Sequence, residues 1–390
     1  MSSMELLVTL LLLASPVALA KSSPSLPAIF TFGDSIFDAG NNHFNKNCTA
    51  QADFPPYGSS FFHQPTGRFT NGRTVADFIC NNNNYTSQLF NYLLFPQGTL
   101  LFSIFIFLAA QFIGLPLQKP FLELHIQILN GTLKRFPSNG INFASAGSGF
   151  LLDTNKDMRV TPIQTQLQQF QTLVEQNKIE KSIIQESLFL LESGSNGIFN
   201  YFLPFQTTTL SPDDYVDSML TQVNKTIDQI YKLGARRIAI FSLGPVGCVP
   251  ARALLPNAPT NKCFGKMNVM AKKYNRRLED IVNIIPTKYP GSIAVFGAVY
   301  AITHRFQTYP ARYGFSDVSN ACCGGGTLGG LKQCGREGYK ICNNPNEFMF
   351  WDFYHPTERT YHLMSKALWN GNKNKIRPFN LMALATNFTF

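Results

Sequence analysis

Short apolar runs at residues 28–32, 141–144, 187–191, 237–241 and 292–296, parted by segments of helical periodicity, constrain this chain more than any other feature. Runs this short and this apolar read as strands buried on both faces. Thr161-Pro162 places a cap and a first-turn proline ahead of Ile163, Leu167, Phe170 and Val174, which recur at helical spacing. Ser211-Pro212-Asp213-Asp214 opens a second helix, with Val216, Met219, Val223, Ile227 and Ile230 along one face and Gly234 as its stop. A third carries Met270, Tyr274, Leu278, Ile281 and Ile285. Strands alternating with helices predict an α/β chain whose central parallel sheet is covered on both faces. No repeat or long flexible linker divides it, so residues 21–390 read as one domain.

Of 390 residues, 45% are hydrophobic and 14% charged, which excludes intrinsic disorder and argues against a coiled coil. The net charge of +10 is spread along the chain, and the one dense basic run is Lys373, Lys375 and Arg377. That pattern implies no nucleic-acid partner. Residues 1–20 read as a secretory leader: Leu6 to Leu13 is nearly all apolar, and Ala18-Leu19-Ala20 supplies a small-x-small cleavage site before Lys21. The leader is atypical in carrying Glu5 and no basic residue, and it is too short for an anchor helix. Removing it takes Glu5 away and raises the net charge to 33 − 22 = +11. Sequons begin at Asn47, Asn84, Asn130, Asn224 and Asn387, in keeping with a glycosylated secreted chain. Eight cysteines without a C-x-x-C pair suit disulfides stapling loops, with connectivity open, rather than a zinc site.

One stretch stands apart. Residues 78–118, 41 in all, carry no Asp, Glu, Lys, Arg or His. A membrane-spanning helix, a buried core segment and a translated intron are the three readings of it. Asp77-Phe78-Ile79 joins smoothly to Gln111-Phe112-Ile113-Gly114-Leu115-Pro116 as one helix and its exit turn. The preferred reading is therefore a retained intron or unusual insert at about 80–109, with no stable membrane span.

In open parallel sheets, chemistry gathers at the carboxyl ends of the strands. There lie Gly33-Asp34-Ser35, then Ser145-Ala146-Gly147-Ser148-Gly149, then Gly194-Ser195-Asn196; Trp351-Asp352-Phe353-Tyr354-His355 follows near the C-terminus. A serine, small-residue backbone, an amide side chain and an Asp-x-x-His pair are the parts needed for acyl transfer. The imidazole activates the serine, the carboxylate fixes its tautomer, and N–H donors receive the developing oxyanion. Gly324-x-Gly326-x-x-Gly329 matches a dinucleotide fingerprint in letters only, since it lies among cysteines and follows no clear strand. No metal and no cofactor is expected. The G-x-S-x-G elbow of α/β-hydrolases is absent.

Several blocks in order resemble the plant-type GDSL esterase/lipase family of the SGNH hydrolases: Phe32-Gly33-Asp34-Ser35, the run Pro65-Thr66-Gly67-Arg68-Phe69-Thr70-Asn71-Gly72-Arg73, Asn142-Phe143-Ala144-Ser145-Ala146-Gly147, Gly194-Ser195-Asn196 and the Asp352/His355 block. The resemblance spans nearly the whole mature chain except the uncharged insert. It implies a three-layer α/β/α flavodoxin-like SGNH hydrolase fold. It also implies a Ser35–His355–Asp352 triad, with an oxyanion hole from the N–H groups of Ser35 and Gly147 and the Asn196 amide; Gly149 competes with Gly147. Ester or lipid substrates and a cell-wall or apoplastic location follow by the same resemblance, while oligomeric state does not. Two departures stand out: Ile36 for the first block's leucine, and Gly197 where the third block has an aspartate. Gly197 is expected to weaken activity without abolishing it. Alternatives are a non-catalytic secreted binding protein on the same scaffold, or an acyltransferase using the same triad.

Overall fold

Residues 26–80, 112–205 and 208–386 are described by the computed structural model. The leader, the suspected insert beyond Cys80, Asn84 and Asn387 lie outside those residues.

The anticipated strands form within a residue or so of their apolar runs: β1 (Ile29–Gly33), β2 (Gly140–Asn142), β3 (Leu188–Glu192), β4 (Arg237–Phe241) and β5 (Ile293–Gly297). Helices α1 (Val75–Cys80), α2 (Phe121–Leu129), α3 (Ile163–Glu175), α4 (Ser195–Tyr201), α5 (Pro212–Lys232), α6 (Gly265–Lys288), α7 (Val299–Thr308) and α8 (Glu358–Asn370) surround them. Ser211 caps α5 as expected, its hydroxyl accepting the Asp214 N–H, and Gly234 at φ 114° follows its end. Thr161 does not cap α3. Pro162 is the extended residue before that helix, and the Thr161 N–H donates to the Ser145 hydroxyl while its carbonyl accepts from Gln166.

Late in the chain, β6 (Asp317–Ala321) and β7 (Phe348–Phe350) pair with each other, and β8 (Ile376–Arg377) closes one edge of the main sheet. The main sheet runs β8-β5-β4-β3-β1-β2; all its pairings are parallel except β8 against β5. The order β2-β1-β3-β4-β5 is the flavodoxin-like one, with its topological switch between β1 and β3. Helices α3, α5 and α6 pack together, as do α1, α7 and α8, and β1, β3 and β4 are buried along their whole lengths. Phe30, Phe32, Phe143, Phe170 and Phe189 meet at ring-centroid separations of 5.0 to 6.4 Å across β1, β3, α3 and the β2 exit. Each such pair adds about 0.5–1.5 kcal/mol beyond the area it buries, so the end of β1 is held on both flanks.

A second, smaller core gathers Ala52, Tyr57, Phe69, Ala146 and Trp351 with three cysteines. Disulfides join Cys248 to Cys263, Cys322 to Cys342 and Cys323 to Cys334, while Cys48 and Cys80 are buried thiols. Among the described residues, no helix is long and apolar enough to cross a membrane.

Candidate active site

The nucleophile candidate follows directly from the sheet. At Gly33 a Cβ would stand 2.3 Å from the Glu192 carbonyl oxygen, so the close approach of β1 to β3 admits only glycine. The chain then turns at once, with the N–H groups of Phe37 and Asp38 both donating to the Asp34 carbonyl. Ser35 sits in this turn and is buried. Gln166, fully buried on α3, clamps the residue before the turn: its amide donates to the Gly33 carbonyl at 2.9 Å and accepts the Gly33 N–H at 3.0 Å.

The candidate base arrives from the far end of the chain on a single turn. Asp352 Oδ1 accepts the N–H groups of Tyr354 and His355 at 2.8 and 2.7 Å, and both carboxylate oxygens face His355 Nδ1, at 2.8 and 2.9 Å. Tyr57 donates its hydroxyl to Asp352 Oδ2 at 2.7 Å. Burial works to raise the Asp352 pKa. The charge and hydrogen bond of His355, the Tyr354 N–H and the Tyr57 hydroxyl together hold it below the usual carboxylate range. An ionised Asp352 keeps the imidazole proton on Nδ1 and leaves Nε2 as the acceptor that a general base requires. Residues 65–73 brace this turn from behind. Thr70 Oγ1 donates to the Pro356 carbonyl, Asn71 Oδ1 accepts the Glu358 N–H, Arg73 pairs with Glu358, and the Phe69 ring lies 4.9 Å from the imidazole.

Ser35 and His355 line one cavity of about 70 Å³ with Ile36, Val246, Val299 and Met364. The sequence blocks therefore converge, although Ser35 and His355 are 320 positions apart (355 − 35).

The oxyanion candidates flank the nucleophile turn. The loop after β2 is fixed by the first block: Asp38 Oδ2 accepts the Ala146 N–H, Asn41 donates to the carbonyls of Asn142 and Ala144, and Asn42 donates to that of Ala146. This delivers Gly147 at φ 83°, a backbone state that disfavours side chains. Gly149 is packed for another reason: a Cβ there would meet the Thr154 hydroxyl at 2.6 Å. Asn196 Nδ2 donates to the Ser148 carbonyl at 3.0 Å and, more weakly, to Asp34 Oδ2 at 3.3 Å. It thereby ties the ends of β1, β2 and β3 together. Gly147, Gly149 and Asn196 border the turn without lining the cavity itself. At Gly197 a Cβ would find ordinary contacts at 3.5 Å with Met219 and Tyr215, and Tyr215 donates to the Gly197 carbonyl. Asn196 is thus held by Ser148 and Asp34 rather than by the side chain at 197.

Sequence reasoning missed Tyr57, Gln166, Asp38, Asn41, Asn42 and Glu192. Asp38 and the two asparagines stand within eight residues of Ser35 and carried a local signal; Tyr57 and Gln166 act across 295 and 133 positions and carried none. Among the sequons, Asn47 and Asn130 are exposed. Asn224 is half-buried within α5, its amide bonded to the Leu220 carbonyl.

Burial pushes Asp34 and Asp38 up to about 6 in spite of their N–H donors, and pushes Glu192 well above the carboxylate range. Unfolded carboxyls release their protons near pH 4, so between about pH 4 and 6 the folded chain binds more protons and its stability falls as pH rises. Asp77 and Asp352, held low, act oppositely below pH 4. The melting temperature is expected to be several degrees higher at pH 5 than at pH 8; a flat or rising profile in thermal scans would contradict this.

Comparison with known proteins adds the family. The model of the GDSL-like lipase/acylhydrolase family matches residues 29–368. "GDSL esterase/lipase 6" of Arabidopsis thaliana is 81% identical over 386 residues, covering 99% of this chain and 98% of the relative. "GDSL esterase/lipase 7" of the same plant is 32% identical, with 93% of each chain covered. "GDSL lipase" of Tanacetum cinerariifolium is 29% identical over 97% of this chain and 93% of its own.

Proposed function

The chain belongs to the GDSL family of esterases and lipases, and from that premise we propose that it hydrolyses carboxylic esters through Ser35, His355 and Asp352. The observation that carries this reading is His355, held by Asp352 at 2.8 Å and lining the same cavity as Ser35. His355 Nε2 takes the Ser35 hydroxyl proton as the oxygen attacks the ester carbonyl. The tetrahedral oxyanion is received by the N–H groups of Ser35 and Gly147 and by the Asn196 amide, whose long bond to Asp34 is the one it exchanges. The imidazolium returns the proton to the leaving alcohol. Water, deprotonated by the same imidazole, then attacks the acyl-enzyme and releases the acid. An alcohol in place of that water makes the chain an acyltransferase.

We read residues 1–20 as a secretory leader, the mature chain as one extracellular domain, and Asn47 and Asn130 as its favoured glycan acceptors; their exposure and the six bridged cysteines support that reading.

A fluorophosphonate probe tests the proposal. It is expected to label the wild type and to leave Ser35→Ala unlabelled. A folded wild-type protein that takes no label identifies a binding protein instead.

The cavity limits the acyl group. An apolar sealed cavity of about 150 Å³ accepts benzene; this cleft holds about 70 Å³ and is half-open, so the space beside Ser35 favours short acyl groups. Hydrolysis of p-nitrophenyl esters is expected to drop at least about tenfold in kcat/KM between butyrate and octanoate. Met364→Ala is expected to move the optimum to longer chains. A chain-length profile that is flat in both proteins refutes the limit.

A further inference from the structure

We propose that Glu192 is a positioning residue for this esterase: it keeps its proton and donates a hydrogen bond to Asp34, and the Asp34 carboxylate so held ties the Ser35 turn to the Asn196 turn. The inference rests on the esterase reading above and concerns two groups that the triad does not use.

Glu192 ends β3 directly beside Gly33 in the β1–β3 register, one residue before Asp34 and two before Ser35. Both Glu192 and Asp34 are 1% exposed, and their carboxyls are within hydrogen-bonding reach of each other. Neither carboxylate oxygen of Glu192 meets an N–H or O–H donor. Two sealed carboxyls in contact do not both ionise, and a hydrogen bond between them needs a proton.

The donors around the pair decide which group keeps that proton. Asp34 accepts the N–H of Ile36 at 3.3 Å and the Asn196 amide at 3.3 Å. His355 also favours the ionised Asp34. Tyr274, Tyr354 and Tyr361 feel the charge of the pair, but Tyr274 spends its hydroxyl on the Ser193 carbonyl, and those of Tyr354 and Tyr361 reach no acceptor or donor. Glu192 therefore carries the proton and Asp34 the charge. Asp34 bonds to the residue after Ser35 and to the Asn196 amide. Its orientation sets the spacing between attacking oxygen and oxyanion donor.

The test compares Glu192→Gln and Glu192→Leu with the wild type at pH 8, where Asp34 and Asp38 are ionised. The glutamine amide supplies the same donor, so Glu192→Gln is expected to keep kcat on p-nitrophenyl butyrate within about threefold. Glu192→Leu is expected to lower kcat about 10- to 100-fold with KM within twofold. A folded Glu192→Leu protein with wild-type kcat overturns the proposal, as does a Glu192→Gln protein as impaired as Glu192→Leu. Infrared spectroscopy reads the proton itself and needs no leucine variant. The wild type is expected to show a protonated-carboxyl C=O band at pH 8 that vanishes in Glu192→Gln, and its absence also overturns the proposal. Fluorophosphonate labelling of the same samples judges the esterase reading separately, since the infrared band does not depend on catalysis.

Discussion

Asp352→Asn is expected to lower kcat on p-nitrophenyl butyrate by about 10⁴-fold with little change in KM. The asparagine retains one oxygen, which suffices to accept the N–H groups of Tyr354 and His355 that Asp352 Oδ1 now receives. The turn therefore survives. Its amide nitrogen replaces the oxygen that faces Tyr57 and shares His355 Nδ1. An N–H donor there drives the imidazole proton to Nε2 and removes the lone pair that Ser35 needs. A loss of about 10⁴ is about 5 kcal/mol of transition-state stabilisation, far more than a slight displacement of the turn produces. Steady-state kinetics with an unchanged melting transition would establish this; a kcat within tenfold of wild type would refute the role given to Asp352.

Arg68→Leu is expected to destabilise the fold by about 3–5 kcal/mol, a large part of a typical total of about 5–15 kcal/mol. Arg68 and Asp77 are both buried and meet in a two-pronged pair, Nε to Oδ2 at 2.7 Å and Nη2 to Oδ1 at 2.8 Å. Asp77 also accepts the Thr74 N–H and hydroxyl, which fixes the start of α1. Removing the guanidinium strands a sealed carboxylate. Removing both charges, as in Arg68→Leu with Asp77→Leu, is expected to recover much of the loss. Denaturant unfolding of the two proteins checks this. Equal stability of single and double variants would mean that the pair's charge is not what matters.

Much of this site was legible because its parts are local words. Gly33-Asp34-Ser35 and Asp352 with His355 each declare their chemistry within a few residues, and the strand-then-turn pattern places them on one rim. The five parallel strands were legible for a similar reason, since each lies on a short, mostly apolar run. What escaped depends on contacts that no window contains. Gln166 looks like any polar residue on α3 until it closes on Gly33. Tyr57 looks like a loop aromatic until its hydroxyl reaches Asp352. The edge strand β8 has two residues and too little pattern to see. Thr161-Pro162 misled in the opposite way: the helix starts one residue later than the motif implies, so Pro162 takes the cap position and Thr161 lies before it.

The cysteine bridges divide the catalytic machinery between two kinds of support. Ser35 and the proposed oxyanion donors hang from the parallel sheet, which needs only burial and hydrogen bonds. The base does not. The N–H groups of Cys322 and Cys323 bond to the carbonyls of Phe350 and Trp351, immediately before Asp352, and each of those cysteines is the foot of a disulfide. The enzyme is thus half wound and half riveted. Reducing conditions are therefore expected to loosen the mount of the candidate base while leaving the seat of Ser35 in place.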